Sequence, residues 1–440
     1  MRRYVVVGTG IAGLSAAEAL RERDPAAQVT LVGEEPHPFY SRPGLAYLLT
    51  GSVPERRLYV RTPAEVEALG VERIHARAAA LDPAAHRLAL EDGRVLGYDR
   101  LLLATGALSI PPAFPGGDLQ GVLQLDGLDQ ARRMVEMARK GRRAVVVGGG
   151  STALEIVEGL HARGVHVHYF LRGDRYWSKV LDPVESAIVE ERLERDGVRL
   201  HRRTEVKRAL GSRGRLTGVE TEAGETVPCD LLAVAVGIRP RLELAKAAGI
   251  AVDRGIVVSE RLETDAADVF AAGDVAQVRD PATGRAELDA LWSSALAMGR
   301  AAGLNLAGDA TPYAKAVPMN VTRLAGLVAT VIGAVGGGKD PDLVTMTRGQ
   351  SESWSGGGAS VAVEERHGAD RVRVMLDERT VVGALVMGSQ RLSHPLARLV
   401  ADRVDVSPIR AELLALHPDA ALLKLIEFHD RRYGGRAAAH

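Results

Sequence analysis

One pattern of apolar and polar positions occurs twice in the chain: a short β-branched run, a glycine-rich turn, a stretch with helical period, and a second apolar run. In the first copy, residues 4–7 (Tyr-Val-Val-Val) lead into Gly8-Thr9-Gly10-Ile11-Ala12-Gly13, a helix is expected to about Arg23, and a strand follows over 28–32. In the second, residues 143–147 lead into Gly148-Gly149-Gly150-Ser151-Thr152-Ala153, with a helix to about Arg163 and a strand over 165–171. Asp24-Pro25 ends the first helix and Gly164 the second, since proline cannot continue a helix and glycine accepts the left-handed turn that closes one. Each copy predicts a βαβ unit. Further short strands are expected over 88–90, 101–104, 231–236 and 269–272. From about Tyr313 the texture changes. Glycine clusters at 336–338 and 356–358 read as loops, runs over 360–365, 371–376 and 381–387 as an antiparallel sheet, and helices begin near Leu392, Pro408 and Asp419. Residues 313–440 are therefore expected to form a separate α+β domain.

Length and charge narrow the function classes. A chain of 440 residues is long enough for two or three domains. Lysine plus arginine equal aspartate plus glutamate at 56 each, so no global field draws the protein toward nucleic acid or anionic lipid. The first strand starts too early for a signal peptide, and no run of roughly 18 apolar residues suggests a membrane span. A cytoplasmic location is the expectation. The single cysteine, Cys229, excludes an internal disulfide, a dithiol pair and a cysteine-ligated cluster. It precedes an apolar run and reads as a packed side chain. Electrons, if any are carried, need a cofactor.

The two glycine turns point to dinucleotides. In Gly8-x-Gly10-x-x-Gly13 the first glycine permits the tight turn, the second lets a pyrophosphate approach the backbone, and the third lets helix and strand pack closely. The helix N-terminus then faces the phosphates. Glu34 falls 21 residues after Gly13, where an acid can bind ribose hydroxyls, and Glu35 is next to it. Gly148-x-Gly150-x-x-Ala153 is the same fingerprint with alanine in the packing position. After its second strand comes Leu171-Arg172-Gly173-Asp174-Arg175, which lacks the acid of an NAD-selective site. Arg172 and Arg175 are either partners for a 2′-phosphate or solvated loop arginines, and the preference leans to NADPH.

Two such sites in this order, followed by a third domain, resemble the pyridine nucleotide–disulfide oxidoreductase superfamily of flavoproteins over nearly the whole chain. Ala104-Thr105-Gly106 after a strand, Val236-Gly237-Ile238-Arg239-Pro240, and Val269-Phe270-Ala271-Ala272-Gly273-Asp274 match its further motifs. The resemblance implies FAD in the first site and NAD(P)H in the second. It implies that Asp274, with Gly273, meets the FAD ribityl chain, and that the helix beginning near Trp292 points its N-terminus at the flavin. The segment Phe39-Tyr40-Ser41-Arg42-Pro43 is similar to the flavin loop of the branch that holds ferredoxin and rubredoxin reductases and the flavin part of nitrite reductases. Thiol branches place a cysteine in this loop, and this chain does not. Relatives carry a lysine shortly after the Arg-Pro pair, matched to a glutamate at the position of Glu155. Tyr47 stands at the lysine's spacing here, so Glu155 is either a residue facing the nicotinamide or a surface acid of the helix.

By this resemblance the fold class is α/β, with two Rossmann-like domains plus an α+β interface domain. The FAD domain covers 1–115 and 240–312, the NAD(P)H domain 116–239, and the interface domain 313–440. The implied activity is hydride transfer from NAD(P)H to flavin N5, then electron delivery to an acceptor: a ferredoxin- or rubredoxin-type protein or a nitrite-reductase-like partner. A homodimer is implied too. Two other readings stay open, a quinone or oxygen reductase and a redox-sensing flavoprotein that resembles apoptosis-inducing factor. The histidines, His161, His166, His168 and His201 among them, form no carboxylate-paired cluster in the sequence, and His37 reads as a solvated loop residue. Trp177 and Lys179 either flank the nicotinamide nucleotide or only pack and solvate. The last helix, about 420–428, is amphipathic and is expected to make a subunit or domain contact.

Overall fold

A computed structural model describes residues 1–281, 283–336, 361–367 and 370–434. The two repeated units form two parallel five-stranded sheets that share the order of four strands and differ in the origin of the fifth, which is the last strand of the first sheet in sequence and the first of the second. The first runs Val269–Ala271, Arg100–Leu103, Arg3–Val7, Gln28–Gly33 and Glu72–His75. The second runs Val122–Leu123, Leu231–Val234, Arg143–Val147, His166–Leu171 and Arg199–Arg202. The central strands carry the β-branched runs and are buried on both faces, as parallel sheets covered by helices require. Each unit also carries a three-stranded antiparallel meander: Ala78–Asp82, Arg87–Leu90 and Val95–Gly97 in the first, Val206–Ser212, Arg215–Thr221 and Thr226–Pro228 in the second. The chain passes between the units twice, and the two crossings, Ala107–Ser109 and Ile238–Pro240, pair antiparallel as a ribbon.

Small residues let the helices approach closely. The first helix, Ile11–Arg23, crosses Trp292–Ala307, where a Cβ on Gly299 would lie 2.2 Å from the Ala12 carbonyl oxygen and one on Gly303 2.4 Å from that of Ala16. Between the units, the short helix Leu45–Thr50 lies on Ser151–Ala162 through Gly159, and Arg163 caps its last turn by donating to the carbonyls of Leu48 (2.9 Å) and Leu49 (2.6 Å).

The C-terminal sheet is antiparallel, in the order Met319–Leu324, Leu327–Gly333, Val381–Met387, Asp370–Leu376, Val361–His367. One face packs on the second unit through Leu324, Val331, Leu385 and Met387, and the other holds the helices Ser393–Ala401, Ser407–Ala415 and Pro418–Tyr433. The antiparallel sheet read from the sequence is thus larger by two strands. Their hairpin turns at Ala325-Gly326, where both residues have positive φ (49° and 79°), the geometry of a type I′ turn. Alanine in the first place hides the usual Asn-Gly signal. Gly336 ends the described segment, while Gly337, Gly338, Gly356–Gly358 and Ser360 lie outside the described residues.

This hairpin tip is held by two helices of the second unit. The backbone N–H of Gly326 donates to Glu158 (3.0 Å), and Arg192 donates to the carbonyl of Ala325 (2.7 Å). Burial pushes the Glu158 carboxyl up to about 6, with the Gly326 N–H offsetting part of the effect. A carboxyl raised on folding stabilises the protein below its unfolded value, and that contribution is lost as pH rises through about 6. Glu158→Gln, neutral at every pH, is therefore expected to raise the urea midpoint at pH 7.5, by at most about 2 kcal/mol in free energy, and to match the wild type near pH 4. Denaturant curves at both pH values check this; equal midpoint shifts at the two would refute it.

Candidate functional site

The first glycine turn opens on a cavity of about 470 Å³ at the C-terminal ends of the first sheet. Such a volume lies in the range of small-molecule and cofactor sites. Its walls bring together Gly8, Gly10, Ile11 and Ala12 of the turn, Glu34 and Glu35 after the second strand, Arg42 and Pro43 of the following loop, and Ala104, Thr105 and Gly106 after a third strand. Gly273, Asp274 and Trp292 come from segments more than 160 residues farther on. Every residue expected to line the first site does so except Gly13, whose part is internal: a Cβ there would meet the Gly8 carbonyl oxygen at 2.0 Å. Gly10 differs, since a Cβ on it would meet nothing within 4 Å and its bareness faces open space in the cavity. That is the fit a pyrophosphate approaching the backbone requires.

The polar groups of the wall are held by partners distant in sequence. Arg241 pairs with Glu34, and Arg77 lies 3.8 Å from its other oxygen. Arg241 was not singled out from the sequence, because no local motif marks a residue whose partner is 207 positions away. Glu35 accepts from Arg42 and from the Tyr40 hydroxyl (2.9 Å), while Arg42 also donates to the carbonyl of Asp126. Tyr40 in turn accepts from the N–H of Leu128 (3.1 Å), and burial pushes its hydroxyl up to about 12. The loop expected along a flavin is therefore fastened to the start of the second unit, and Arg42 and Asp274 line the same cavity. The helix Trp292–Ala307 is fixed at its N-terminus by Asp289, which accepts from the N–H of Leu291 (3.4 Å) and the hydroxyl of Ser294 (2.7 Å). Burial raises the Asp289 carboxyl to about 6 despite the nearby Lys315 ammonium, which is itself buried between Asp280 and Glu287, 3.4 Å from each.

The second turn is built alike. Gly148 has φ +146°, and a Cβ on it would lie 2.2 Å from the Ala235 carbonyl oxygen. Gly150 precedes the helix that starts at Ser151 and Thr152, and Ala153 is buried beneath the turn. Gly237, with φ +127°, lies where the chain leaves this unit. Arg172 is exposed at the end of the strand, whereas Arg175 is turned onto its own loop, 3.5 Å from Asp174 and donating to the carbonyl of Ser178 (3.2 Å). Of the two arginines, Arg172 is the more exposed. Glu155 is half-buried on the helix, and neither it nor the exposed Tyr47 lines the first cavity. Trp177 is buried in the core of the second unit, where packing accounts for its side chain, and Lys179 is half-buried.

Three smaller readings are revised or extended. His37 is not a solvated residue: its side chain is 13% exposed and its Nε2 lies 2.8 Å from Asp129. His168 and His201 face each other at 2.9 Å, and burial lowers the basicity of both. Cys229 is buried between the meander strand Thr226–Pro228 and strand Leu231–Val234, with its thiol pushed up to about 12 by desolvation. A thiol so raised is a poor nucleophile and a packed side chain, far from redox poise.

Comparison with known proteins decides the family. The model of the pyridine nucleotide-disulphide oxidoreductases matches residues 2–299. The chain belongs to this family. The oxidoreductase is 32% identical over 403 residues to the biphenyl dioxygenase system ferredoxin–NAD(+) reductase component of Paraburkholderia xenovorans (strain LB400), covering 91% of this chain and 94% of that one. It is 33% identical over 320 residues to the rhodocoxin reductase of Rhodococcus erythropolis, covering 71% and 74%. Among solved structures, the covalent putidaredoxin reductase–putidaredoxin complex superposes with a TM-score of 0.85 at 26% identity, covering 98% of this chain and 99% of the other. The protein is thus an FAD-dependent enzyme that uses a nicotinamide nucleotide. Among the described residues no helix is long and apolar enough to cross a membrane.

Proposed function

We propose that this oxidoreductase passes electrons from NAD(P)H to a small iron–sulfur protein of the ferredoxin type. The observation that carries the reading is the loop at the first cavity: it presents Arg42 and Pro43 where a thiol enzyme needs a cysteine, and the one cysteine of the chain is buried elsewhere. Electrons must then leave without a protein thiol. The similarity to the biphenyl dioxygenase system ferredoxin–NAD(+) reductase component and to putidaredoxin reductase in its complex with putidaredoxin supports the same acceptor class.

In this reading, residues 1–115 and 240–312 form the FAD domain and 116–239 the nucleotide domain. The described residues from 313 onward pack on the latter through Leu324, Val331, Leu385 and Met387. Bound FAD supplies the hydride acceptor and a store of two electrons that can be released singly. The chain's own residues bind and orient. Gly8, Gly10 and the N-terminus of Ile11–Arg23 receive the pyrophosphate, and Glu34, oriented by Arg241, receives ribose hydroxyls. Asp274 binds the ribityl chain, and Trp292 with the Arg42-Pro43 loop bounds the ring and excludes water. Gly148, Gly150 and the N-terminus of Ser151–Ala162 receive the nicotinamide nucleotide. No side chain has to carry a proton in the hydride step, so proximity and fixed approach are the protein's contribution.

Within the nucleotide site we assign Arg172 to a 2′-phosphate, because it is exposed at the end of the second strand, in the place where an NAD-selective site carries its acid. NADPH is then expected to reduce the enzyme with the higher kcat/KM. Arg172→Ala is expected to lower kcat/KM for NADPH roughly ten-fold, as loss of one charged hydrogen bond does, and to leave NADH unchanged. Equal effects on the two nucleotides would remove this assignment.

The acceptor is tested by anaerobic stopped flow. Enzyme reduced by NAD(P)H is mixed with an oxidised [2Fe–2S] ferredoxin, and the flavin band is expected to return faster than in air-saturated buffer alone. Return no faster than with oxygen would overturn the ferredoxin reading, and faster return with a quinone would replace it. Reduction too slow to support turnover, with a nucleotide-dependent change in mass, would favour a redox-sensing role.

A further inference from the structure

The lip of the nicotinamide nucleotide site is fastened from outside its own domain. The loop between strand His166–Leu171 and helix Pro183–Arg195 lies directly on the second glycine turn: the N–H of Trp177 donates to the carbonyl of Gly149 at 3.0 Å. Trp177 holds φ +45°, a left-handed conformation that costs a bulky residue roughly 1–2 kcal/mol and persists only where the surroundings impose it. Those surroundings can be named. Glu190 accepts from the N–H of Tyr176 (2.6 Å), Ser186 donates to the carbonyl of Tyr176 (2.7 Å), and the N–H groups of Val180 and Leu181 return to the carbonyl of Trp177 (2.9 Å each).

The remaining fastening comes from the C-terminal sheet. Arg373, on strand Asp370–Leu376 and 6% exposed, donates to the carbonyl of Val180 (2.8 Å) and to that of Val335 (2.6 Å). It also forms a two-pronged pair with the fully buried Glu185, at 2.8 and 3.0 Å. Glu185 closes the capping box of helix Pro183–Arg195 by accepting from the N–H of Asp182 (2.8 Å), and Arg371 pairs with Asp182 alongside. A guanidinium that satisfies a carboxylate and two carbonyls at once fixes their relative places more tightly than an ammonium can.

We propose that Arg373 is a positioning residue for the nicotinamide nucleotide: through Val180 and Glu185 it sets the loop on which the Gly149 carbonyl rests, so the C-terminal sheet governs nucleotide affinity. The proposal rests on the assignment of the second turn to that nucleotide. Buried pairs are costly to form and contribute little net stability, but breaking one releases whatever its partners hold in place. What Arg373 holds is the lip of the site.

The test uses the holoenzyme and the unreactive oxidised nucleotides NAD⁺ and NADP⁺, titrated calorimetrically, together with steady-state kinetics. Arg373→Gln is expected to raise Kd and KM about ten-fold, with the kcat at saturation and the flavin content unchanged. Arg373→Lys, which keeps the charge but not the fork, is expected to fall between this variant and wild type, and serves if the glutamine variant does not fold. Val374→Ala is the control, one position along the same strand and facing the helices on the other side of the sheet. It is expected to lower the melting temperature without moving Kd. The proposal is overturned if the Arg373 variants bind nucleotide as the wild type does, or if Val374→Ala weakens binding as much as they do. Wild type that binds neither nucleotide would overturn the site assignment itself.

Discussion

Gly148→Ala is expected to give a protein that keeps its FAD and is still bleached by dithionite, yet is reduced by NAD(P)H about 100-fold more slowly at low nucleotide concentration. The added Cβ would lie 2.2 Å from the carbonyl oxygen of Ala235, 2.9 Å from its carbon and 3.0 Å from the Ala153 Cβ, at a backbone φ of +146°. Two of these contacts are with backbone and none with the end of a flexible side chain, so the turn itself must shift. Left-handed strain and overpacking together cost roughly 2–5 kcal/mol, and the turn can escape most of it by moving away from the strand end that follows Leu231–Val234. A turn so displaced no longer presents its N–H groups to a pyrophosphate, and each 1.4 kcal/mol of lost binding is a tenfold loss in affinity. The nearest atoms to the added Cβ, those of Ala235 and Ala153, belong to the second unit, which is why the flavin is expected to stay. Rapid-mixing reduction with each nucleotide, beside a dithionite control, measures the effect. A variant reduced within a few-fold of wild type would show that the second turn does not carry the nucleotide.

Gly8→Ala is expected to do the complementary damage and yield a largely colourless protein. A Cβ on Gly8, at φ +124°, would stand 2.0 Å from the Ala104 carbonyl oxygen and 2.6 Å from its carbon. Ala104 cannot retreat cheaply, because its N–H donates to the carbonyl of Val7 (2.8 Å) and strand Arg100–Leu103 is paired on both sides within the first sheet. The clash therefore opens the floor of the first cavity, proposed above to hold FAD, where Gly8, Ala104, Thr105 and Gly106 meet. Gly10→Ala provides the contrast. It meets nothing in the protein, so this variant should fold as well as wild type, and any loss of FAD from it reports on the ligand alone. Flavin-to-protein ratio after desalting, with FAD titration of the apoproteins, separates the two. If Gly8→Ala retains stoichiometric flavin, the close approach at Ala104 is not what holds the cavity together.

These effects also explain which parts of the molecule could be read early. The two βαβ units were legible because their signals are local. A continuous apolar run, a glycine turn and a helix with a defined stop all fall within about 30 residues, and their spacing is imposed by backbone geometry. The residues of the first site followed, since the turn, the acid at Glu34 and the motif ending in Asp274 each lie at the end of a recognisable strand. The hairpin Met319–Gly333 was missed for an equally local reason, the Ala-Gly turn that holds two positive φ values without asparagine or aspartate. His37 was misjudged because its partner, Asp129, lies 92 positions away on a different element.

What the sequence by itself determined is the pair of nucleotide-binding frames, the lack of a redox thiol at the flavin loop, and the change of architecture near residue 313. The tertiary structure alone decided how those frames are held: Arg241 on Glu34, Arg42 on Glu35 and Asp126, Arg373 on Glu185 and Val180. It also decided that Arg175 closes on its own loop while Arg172 is exposed. The physical reason is one of range. Periodicity and turn chemistry are written into neighbouring residues, whereas a buried guanidinium has many carboxylates and carbonyls to choose from, and only the path of the backbone brings one of them within hydrogen-bonding distance.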